Sequence, residues 1–389
     1  MARLDHIGVA VDDVESVIDC FDDLLGIRPY KNEPVPRQKV RTHFLDTAVG
    51  KLEFLESLDE ESPIQKYLEQ WGEGVHHLAF KVQDLEATMT RLTDAGFTLV
   101  NETPQPGADD KRVAFVHPQD THGMLVEFCE TRTPPSWTPE TVPHRDGELA
   151  YYSKGHPDNP CIVFLHGAGG TTLLDTAPLM RHLASRYHVV GVDLCGHGNT
   201  SIPDDETMSM DRFVEDIRAT LNALDHSSCH LFGFSLGSSV ALKTAADSPD
   251  LVDRLALFAP NGRWNNELVD TLNSHLDLDA LKRHIPKQAE RLFRHHQAPE
   301  RLFPILQDFV GTLPAANEDM IATLNRVSHP TLVAGLDEDL LFSVDATQFV
   351  YENLEKARLS ILPGQKHRLV PDTVELLVPL LHRHFGPEP

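Results

Sequence analysis

His6-Ile-Gly-Val-Ala-Val-Asp-Asp-Val-Glu15 returns further along the chain as His77-Leu-Ala-Phe-Lys-Val-Gln-Asp-Leu-Glu86. Each copy opens with a histidine on an alternating strand. Each closes with a strand that carries a glutamate, Glu53 in Lys51-Leu-Glu-Phe-Leu55 and Glu127 in Leu125-Val-Glu-Phe128. A duplicated unit whose copies each offer one imidazole and one carboxylate can build a four-ligand metal site where the halves meet. Nitrogen and oxygen donors of this kind suit a borderline-hard divalent ion such as Mn, Co, Ni or Zn. Conserved strand packing would explain a recurring histidine, but it gives no reason for both glutamates to recur as well. The expected metal ligands are therefore His6, Glu53, His77 and Glu127.

Working outward, each copy reads strand, helix, strands. In the first, residues 3–10 alternate, 13–25 have helical spacing ending at Gly26, and strands follow near 40–46 and 51–56. In the second, a strand at 76–82 precedes a helix at 84–95 ending at Gly96, then strands near 97–101, 112–117 and 123–129. Two βαβββ units side by side give a curved open sheet with a central cup. After Glu130 the chain runs through Thr-Arg-Thr-Pro-Pro-Ser-Trp-Thr-Pro-Glu-Thr-Val-Pro143, which has neither helical nor strand periodicity. That composition predicts an extended linker over 132–146, between a first domain at 1–131 and a second at 147–389.

Beyond the linker, short continuous apolar runs begin at Cys161, His188, His230, Leu255, Thr331 and Leu359. Helical segments at 176–186, 211–224, 236–247 and 344–355 separate them. Buried strands alternating with helices predict a parallel sheet covered on both faces. A long helical insertion, about 262–328, is expected as a lid over the strand ends.

Gly233-Phe-Ser235-Leu-Gly237 falls where a strand turns sharply into a helix. In that context the glycines permit the tight turn and hold the serine exposed. Partners follow in the order acid, then histidine: Asp337 and Asp339 lie after the strand at 331–335, and His367 lies after the strand at 359–362. Neutral serine is a weak nucleophile, so His367 is expected to take its proton while a carboxylate fixes the imidazole. Asp339 is expected to be that acid rather than Asp337, because Asp339-Leu-Leu-Phe is an acid followed by an apolar loop. The N–H of Leu236 and one from Gly167 or Ala168 are candidate oxyanion donors. Asp193 reads as a turn residue, and His43, His76 and His117 as packing or supporting groups.

The totals bound the possibilities. The 389 residues include 34 basic and 59 acidic ones, a formal net charge of −25 that opposes binding to nucleic acid or to an anionic membrane surface. No apolar run is long enough to cross a bilayer, and the first residues read directly into a strand rather than a signal peptide. Five scattered cysteines without a C-x-x-C pair predict reduced thiols and a cytoplasmic protein. Any anionic substrate needs a local basic patch against the general field. A homodimer is expected.

Residues 3–130 resemble methylmalonyl-CoA epimerases of the vicinal-oxygen-chelate (glyoxalase-like) superfamily. The resemblance rests on Leu4-Asp-His-Ile-Gly-Val-Ala-Val11, Ser62-Pro-Ile64, Gly72-Glu-Gly-Val-His-His-Leu-Ala-Phe80, Pro106-Gly-Ala108, Val113-Ala-Phe-Val-His-Pro118 and Leu125-Val-Glu-Phe128. It implies that His6, His77 and Glu127 hold a divalent metal, with Glu53 where the family places a glutamine or glutamate ligand. It also implies carboxylates, Glu127 among them, that move a proton at the α-carbon of an acyl-CoA. One departure stands out: Lys39-Val-Arg-Thr-His-Phe-Leu45 carries no acid for a second base. Residues 147–386 resemble α/β-hydrolases with a lid, through His166-Gly, Asp193…Gly196-His-Gly198, the serine elbow and His367. That resemblance specifies fold and triad but no substrate.

These readings converge on a bifunctional enzyme. A metal-dependent epimerase or isomerase of a 2-substituted acyl-CoA is joined to a serine hydrolase acting on an ester or thioester. Three alternatives have the same ingredients: a glyoxalase-type lyase, a ring-cleavage dioxygenase joined to its product hydrolase, or a non-catalytic ligand-binding domain regulating the hydrolase.

Overall fold

The computed structural model describes residues 3–47, 50–82, 84–109, 111–131 and 137–386. The chain divides into two compact units, Met1–Ser136 and Trp137–Pro389.

In the first unit, β1 (Arg3–Val11), α1 (Val14–Leu25), β2 (Lys31–Val35), β3 (Val40–Thr47) and β4 (Gly50–Ser57) form one copy of the repeat. α2 (Pro63–Trp71) leads to the other copy: β5 (Gly74–Lys81), α3 (Leu85–Asp94), β6 (Gln105–Pro106), β7 (Lys111–Val116) and β8 (Leu125–Thr131). The end of each repeat sequence is a helix start. Asp13 accepts from the Ser16 N–H and Asp84 from the Ala87 N–H, capping α1 and α3. Glu15 and Glu86 then sit in the first turns, where the helix dipole favours negative charge. One eight-stranded sheet results, in the order β2-β3-β4-β1-β5-β8-β7-β6. Its halves join through the antiparallel pair of β1 and β5, while β1 runs parallel to β4 and β5 parallel to β8.

The paired βαβββ architecture stands, with local departures. The expected strand at 97–101 reduces to a single bridge, Leu99 to Val116, and the edge strand forms later, at β6. β2 and α2 had no clear periodic signature, since Lys31-Asn-Glu-Pro-Val35 is polar and α2 buries only Ile64 fully.

The second unit opens with β9 (Glu140–His144), β10 (Gly147–Lys154) and β11 (Cys161–Leu165), then α4 (Ala177–Leu183), β12 (His188–Val192) and α5 (Met210–Ala223). It continues through β13 (Cys229–Phe234), α6 (Leu236–Asp247) and β14 (Val252–Phe258). Five helices follow: α7 (Asn266–Leu276), α8 (Leu278–His284), α9 (Pro286–Arg294), α10 (Pro299–Thr312) and α11 (Asn317–Arg326). β15 (Thr331–Leu336), α12 (Val344–Glu352), β16 (Ala357–Leu362) and α13 (Pro371–Phe385) complete it. The sheet order is β16-β15-β14-β13-β11-β12-β10-β9, parallel from β16 to β12. Period-two alternation sends Ile162 and Phe164 to one buried layer and Val163 and Leu165 to the other, so both faces are covered.

The expected linker over 132–146 needs correction. Residues 132–136 lie outside those described, but Glu140–His144 pairs with β10 as the outermost strand. Pro143 lacks an N–H, and an edge strand is where a sheet tolerates that loss. Proline content pointed to a spacer, whereas this segment belongs to the second sheet.

Candidate active sites

Register builds the first site. Across the central pair of the first unit, His6 lies opposite Ala79 and His77 lies opposite Gly8. β4 sets Glu53 beside Gly8, and β8 sets Glu127 beside Ala79. Each copy thus places a small residue between its own glutamate and the other copy's histidine. At Gly8 the smallness is obligatory, because a Cβ there would stand 2.2 Å from His77 Cε1.

The four side chains converge and are all buried. His6 Nε2 lies 3.0 Å from His77 Nε2, and Glu53 Oε2 lies 3.1 Å and 3.4 Å from these two nitrogens. Glu127 is 3.6 Å from His77 Nε2 and 4.0 Å from His6 Nε2. Both imidazoles are oriented from behind. His6 Nδ1 meets Asp5 Oδ2 at 2.8 Å and His77 Nδ1 meets His76 Nδ1 at 3.1 Å. Asp5 reaches its own neighbour because the register of β1 shifts between Leu4 and His6. Such an irregularity breaks the strict alternation of faces, which is why sequence periodicity does not reveal Asp5.

The donor set fits a divalent cation. Burial pushes the His6 imidazole down, but Asp5, Glu53 and Glu127 outweigh it and hold its value at about 9. Burial pushes the Glu53 carboxyl up, yet bonds to His6 and His77 bring it well below the usual carboxylate range. Burial holds Glu127 above that range. Two buried carboxylates facing two imidazole nitrogens need positive charge, and a metal supplies it without protonating the ligands.

Above these donors is a cavity of about 220 Å³ with apolar walls including Phe44, Leu55, Ile64 and Phe115. Gln38, His76 and Lys111 add polar groups. Lys111 is buried and paired with Asp5, while Lys51 lies 2.6 Å from Asp109, so these ammonium groups are matched by acids. From β3 the cavity receives Val40 and Phe44, and residues 39–45 offer it no carboxylate. His43 faces Glu56 at 3.5 Å, and His117 caps a short 3₁₀ turn.

The second site stands on the turn between β13 and α6. Ser235 has φ 55° and ψ −115°, a conformation that costs an ordinary residue about 1–3 kcal/mol. The flanking glycines make it possible, since a Cβ at Gly233 would lie 2.3 Å from Gly237 O, and one at Gly237 would lie 2.3 Å from Leu165 O. His367 Nε2 is 3.0 Å from Ser235 Oγ, and His367 Nδ1 is 2.6 Å from Asp339 Oδ2. Asp339 is held from the other side, its Oδ1 accepting from Leu341 N–H at 2.8 Å and Phe342 N–H at 2.9 Å. With its carboxylate on Nδ1, the imidazole presents a lone pair at Nε2 to the serine hydroxyl. Asp337 turns away and accepts from Gly364 N–H at 2.6 Å, so it shapes the loop that carries His367.

The expected oxyanion donors are placed unequally. Leu236 N–H sits in the first turn of α6, where no carbonyl of that helix can accept it. Gly167 N–H instead bonds Asp175 Oδ2 at 3.0 Å, leaving Ala168 as the candidate from that loop. Asp175 is the residue that sequence reasoning missed. Burial raises its carboxyl from the ordinary 3.8 to about 6, against the Gly167 bond and nearby His367. It occupies a single π-helical turn, Thr172–Thr176, before α4 and belongs to no motif.

Buried neutral histidines fasten the neighbouring loops. His166 Nε2 accepts from Leu194 N–H at 3.0 Å, and His197 Nε2 from Gly169 N–H at 3.3 Å. His296, between α9 and α10, accepts from Gly198 N–H at 2.9 Å and lies 3.1 Å from Gly169 O through its other nitrogen. Asp193 accepts from Thr172 and Asn199 N–H groups, the turn role expected of it.

Comparison with known proteins agrees with this division. Residues 5–115 match the glyoxalase/bleomycin resistance protein/dioxygenase superfamily, and residues 160–317 match the alpha/beta hydrolase fold. An ethylmalonyl-CoA/methylmalonyl-CoA epimerase of Cereibacter sphaeroides is 35% identical over 130 residues, 33% of this chain and 97% of that protein. The uncharacterized protein YqjC of Bacillus subtilis is 38% identical over 132 residues, 34% of this chain and 94% of its own. A 2-hydroxy-6-oxo-6-phenylhexa-2,4-dienoate hydrolase from a Rhodococcus strain covers 65% of this chain and 99% of its own, with a TM-score of 0.56 and 23% identity. At that identity the likeness speaks for the fold alone. Among the described residues no helix is long and apolar enough to cross a membrane.

Proposed function

Because the chain belongs through its first unit to the glyoxalase/bleomycin resistance protein/dioxygenase superfamily and carries the alpha/beta hydrolase fold in its second, we propose that it is a bifunctional acyl-group enzyme. The first unit epimerises or isomerises a 2-substituted acyl-CoA of the methylmalonyl type, and the second hydrolyses an ester or thioester through Ser235.

In the hydrolase, His367 takes the Ser235 proton as the oxygen attacks the acyl carbon, and Asp339 stabilises the imidazolium that forms. Leu236 and Ala168 N–H groups receive the developing oxyanion. The imidazolium then passes its proton to the leaving group, and a water deprotonated by His367 attacks the acyl-serine ester, releasing the acid and returning the proton to Ser235. The helical insertion α7–α11 serves as a lid that shapes the acyl pocket. The observation that carries this half is His367 bridging Ser235 at 3.0 Å and Asp339 at 2.6 Å. Ser235→Ala is expected to abolish turnover of p-nitrophenyl esters with an unchanged circular dichroism spectrum; retained turnover overturns the assignment.

In the first unit, His6, Glu53, His77 and Glu127 would hold a divalent metal, of the Co, Mn, Zn or Ni class. The metal supplies Lewis acidity toward the substrate's thioester and carboxylate oxygens when bound. Glu127, buried at the edge of the cavity, moves the α-proton. Apolar walls exclude water from the carbanionic carbon. The convergence of four buried donors carries this half. Metal-loaded protein incubated with methylmalonyl-CoA in deuterated water is expected to exchange the α-proton, and absence of exchange removes it.

One observation favours a second reading. Residues 39–45 give the cavity no carboxylate to serve the opposite face, which suits a first unit that binds an acyl-CoA and regulates the hydrolase. Esterase activity that responds to a non-hydrolysed acyl-CoA, without α-proton exchange, would select it.

A further inference from the structure

At the opposite end of the second sheet from Ser235, three adjacent strands begin with a set of soft and borderline donors. The strand order β13-β11-β12 brings their starts together. Cys161 opens β11 and His188 opens β12, and the two are direct register partners. His226 stands just before β13, which pairs with the other side of β11. His188 Nδ1 and His226 Nε2 are 2.7 Å apart, and each histidine offers a ring nitrogen within 4.8 Å of Cys161 Sγ. Cys161 and His188 are buried, and His226 is partly open to solvent. No residue of the triad or its loops is involved.

We propose that Cys161, His188 and His226 form a second metal site, one that takes a tetrahedral d¹⁰ ion, Zn²⁺, with its fourth position left to solvent. One thiolate and two imidazoles are a donor set that zinc favours over the hard oxygen-seeking cations. Binding deprotonates the thiol, whose proton passes to solvent, and replaces the imidazole–imidazole hydrogen bond by two metal–nitrogen bonds. Because Cys161 and His188 open two strands and His226 stands just before a third, the ion would clamp the sheet end far from the serine chemistry. The sulfur donor also separates this site from the nitrogen- and oxygen-only set of the first unit.

Cobalt substitution of the full-length chain reads the difference. After chelator treatment and Co²⁺ addition, a thiolate-to-cobalt charge-transfer band is expected in the near ultraviolet. It should vanish in Cys161→Ser and weaken in His226→Asn. Both variants should keep wild-type p-nitrophenyl ester turnover, which shows that they are folded. Zinc titration should displace the band and reach one equivalent more in wild type than in Cys161→Ser. A chain that gives no such band, or a band that persists in Cys161→Ser, overturns the proposal. The His188–His226 contact is then an ordinary hydrogen bond between imidazoles.

Discussion

Gly8 and His77 face one another across the β1–β5 pair so closely that a methyl group at Gly8 would stand 2.2 Å from the imidazole. What it would strike is the far end of a side chain that can rotate, not backbone. Gly8→Ala is therefore expected to fold while swinging His77 out of the donor set. Calorimetric titration with Co²⁺ or Zn²⁺ should show roughly 10–100-fold weaker binding at the first-unit site. Hydrolysis of p-nitrophenyl esters should be unaffected. Undiminished affinity would mean that His77 does not ligate.

The two aspartates of the loop after β15 have separate tasks. Asp339→Asn keeps the shape of the acid but offers His367 the wrong partner, and kcat for a p-nitrophenyl ester should fall about 10⁴-fold. Asp337→Asn alters a carboxylate that only braces Gly364 and Gln365, and kcat should stay within a few-fold of wild type. Steady-state kinetics of the two variants decide, and a reversed order would move the triad acid to Asp337.

Both folds were legible where chemistry and periodicity coincide. The repeat around His6 and His77 shows its glutamates because each lies on a strand beside the duplicated histidine strand, so a linear pattern maps directly onto register. Ser235 is legible because the glycines around it answer a steric demand that no other residue meets. Asp5 and Asp175 were hidden for different reasons. Asp5 turns toward His6 only through a register irregularity, and Asp175 reaches Gly167 from a single π-helical turn too short to leave a periodic signature. β9 was masked by Pro143, because the composition of a linker and that of an edge strand are alike. The cluster at Cys161 was invisible because its members lie far apart in sequence and meet only through strand order.

Asp193 makes stability depend on pH in an unusual direction for an acid. Burial raises its carboxyl from 3.8 to about 6, against the bonds from Asn199 and Thr172. The folded state therefore binds the proton more tightly than the unfolded chain. That contribution is fully present below about pH 4 and is lost as pH rises through 6. The shift corresponds to roughly 3 kcal/mol at most. Asp193→Asn removes the titration, so wild type should lose stability relative to the variant between pH 4 and 6.5. Paired urea unfolding of the second unit measures this difference, and a gap that does not change with pH refutes it.

His296 ties the helical insertion to the loops that carry the hydrolytic site. It accepts from Gly198 N–H at 2.9 Å, so its other nitrogen carries the proton and donates to Gly169 O at 3.1 Å. Burial holds the imidazole down at about 4, against the pull of Gly169, so it is neutral across the working pH range. His296→Ala leaves a buried donor and a buried acceptor unpaired, at a cost of about 2 kcal/mol or more. Gly169 adjoins Ala168, the proposed oxyanion donor, and loosening that loop should lower kcat for a short p-nitrophenyl ester roughly tenfold. KM should change less, since the acyl pocket is not rebuilt. His296→Gln, with an acceptor and a donor of its own, should recover part of the loss. A variant that loses stability yet keeps full kcat would show that His296 braces the fold without positioning the site.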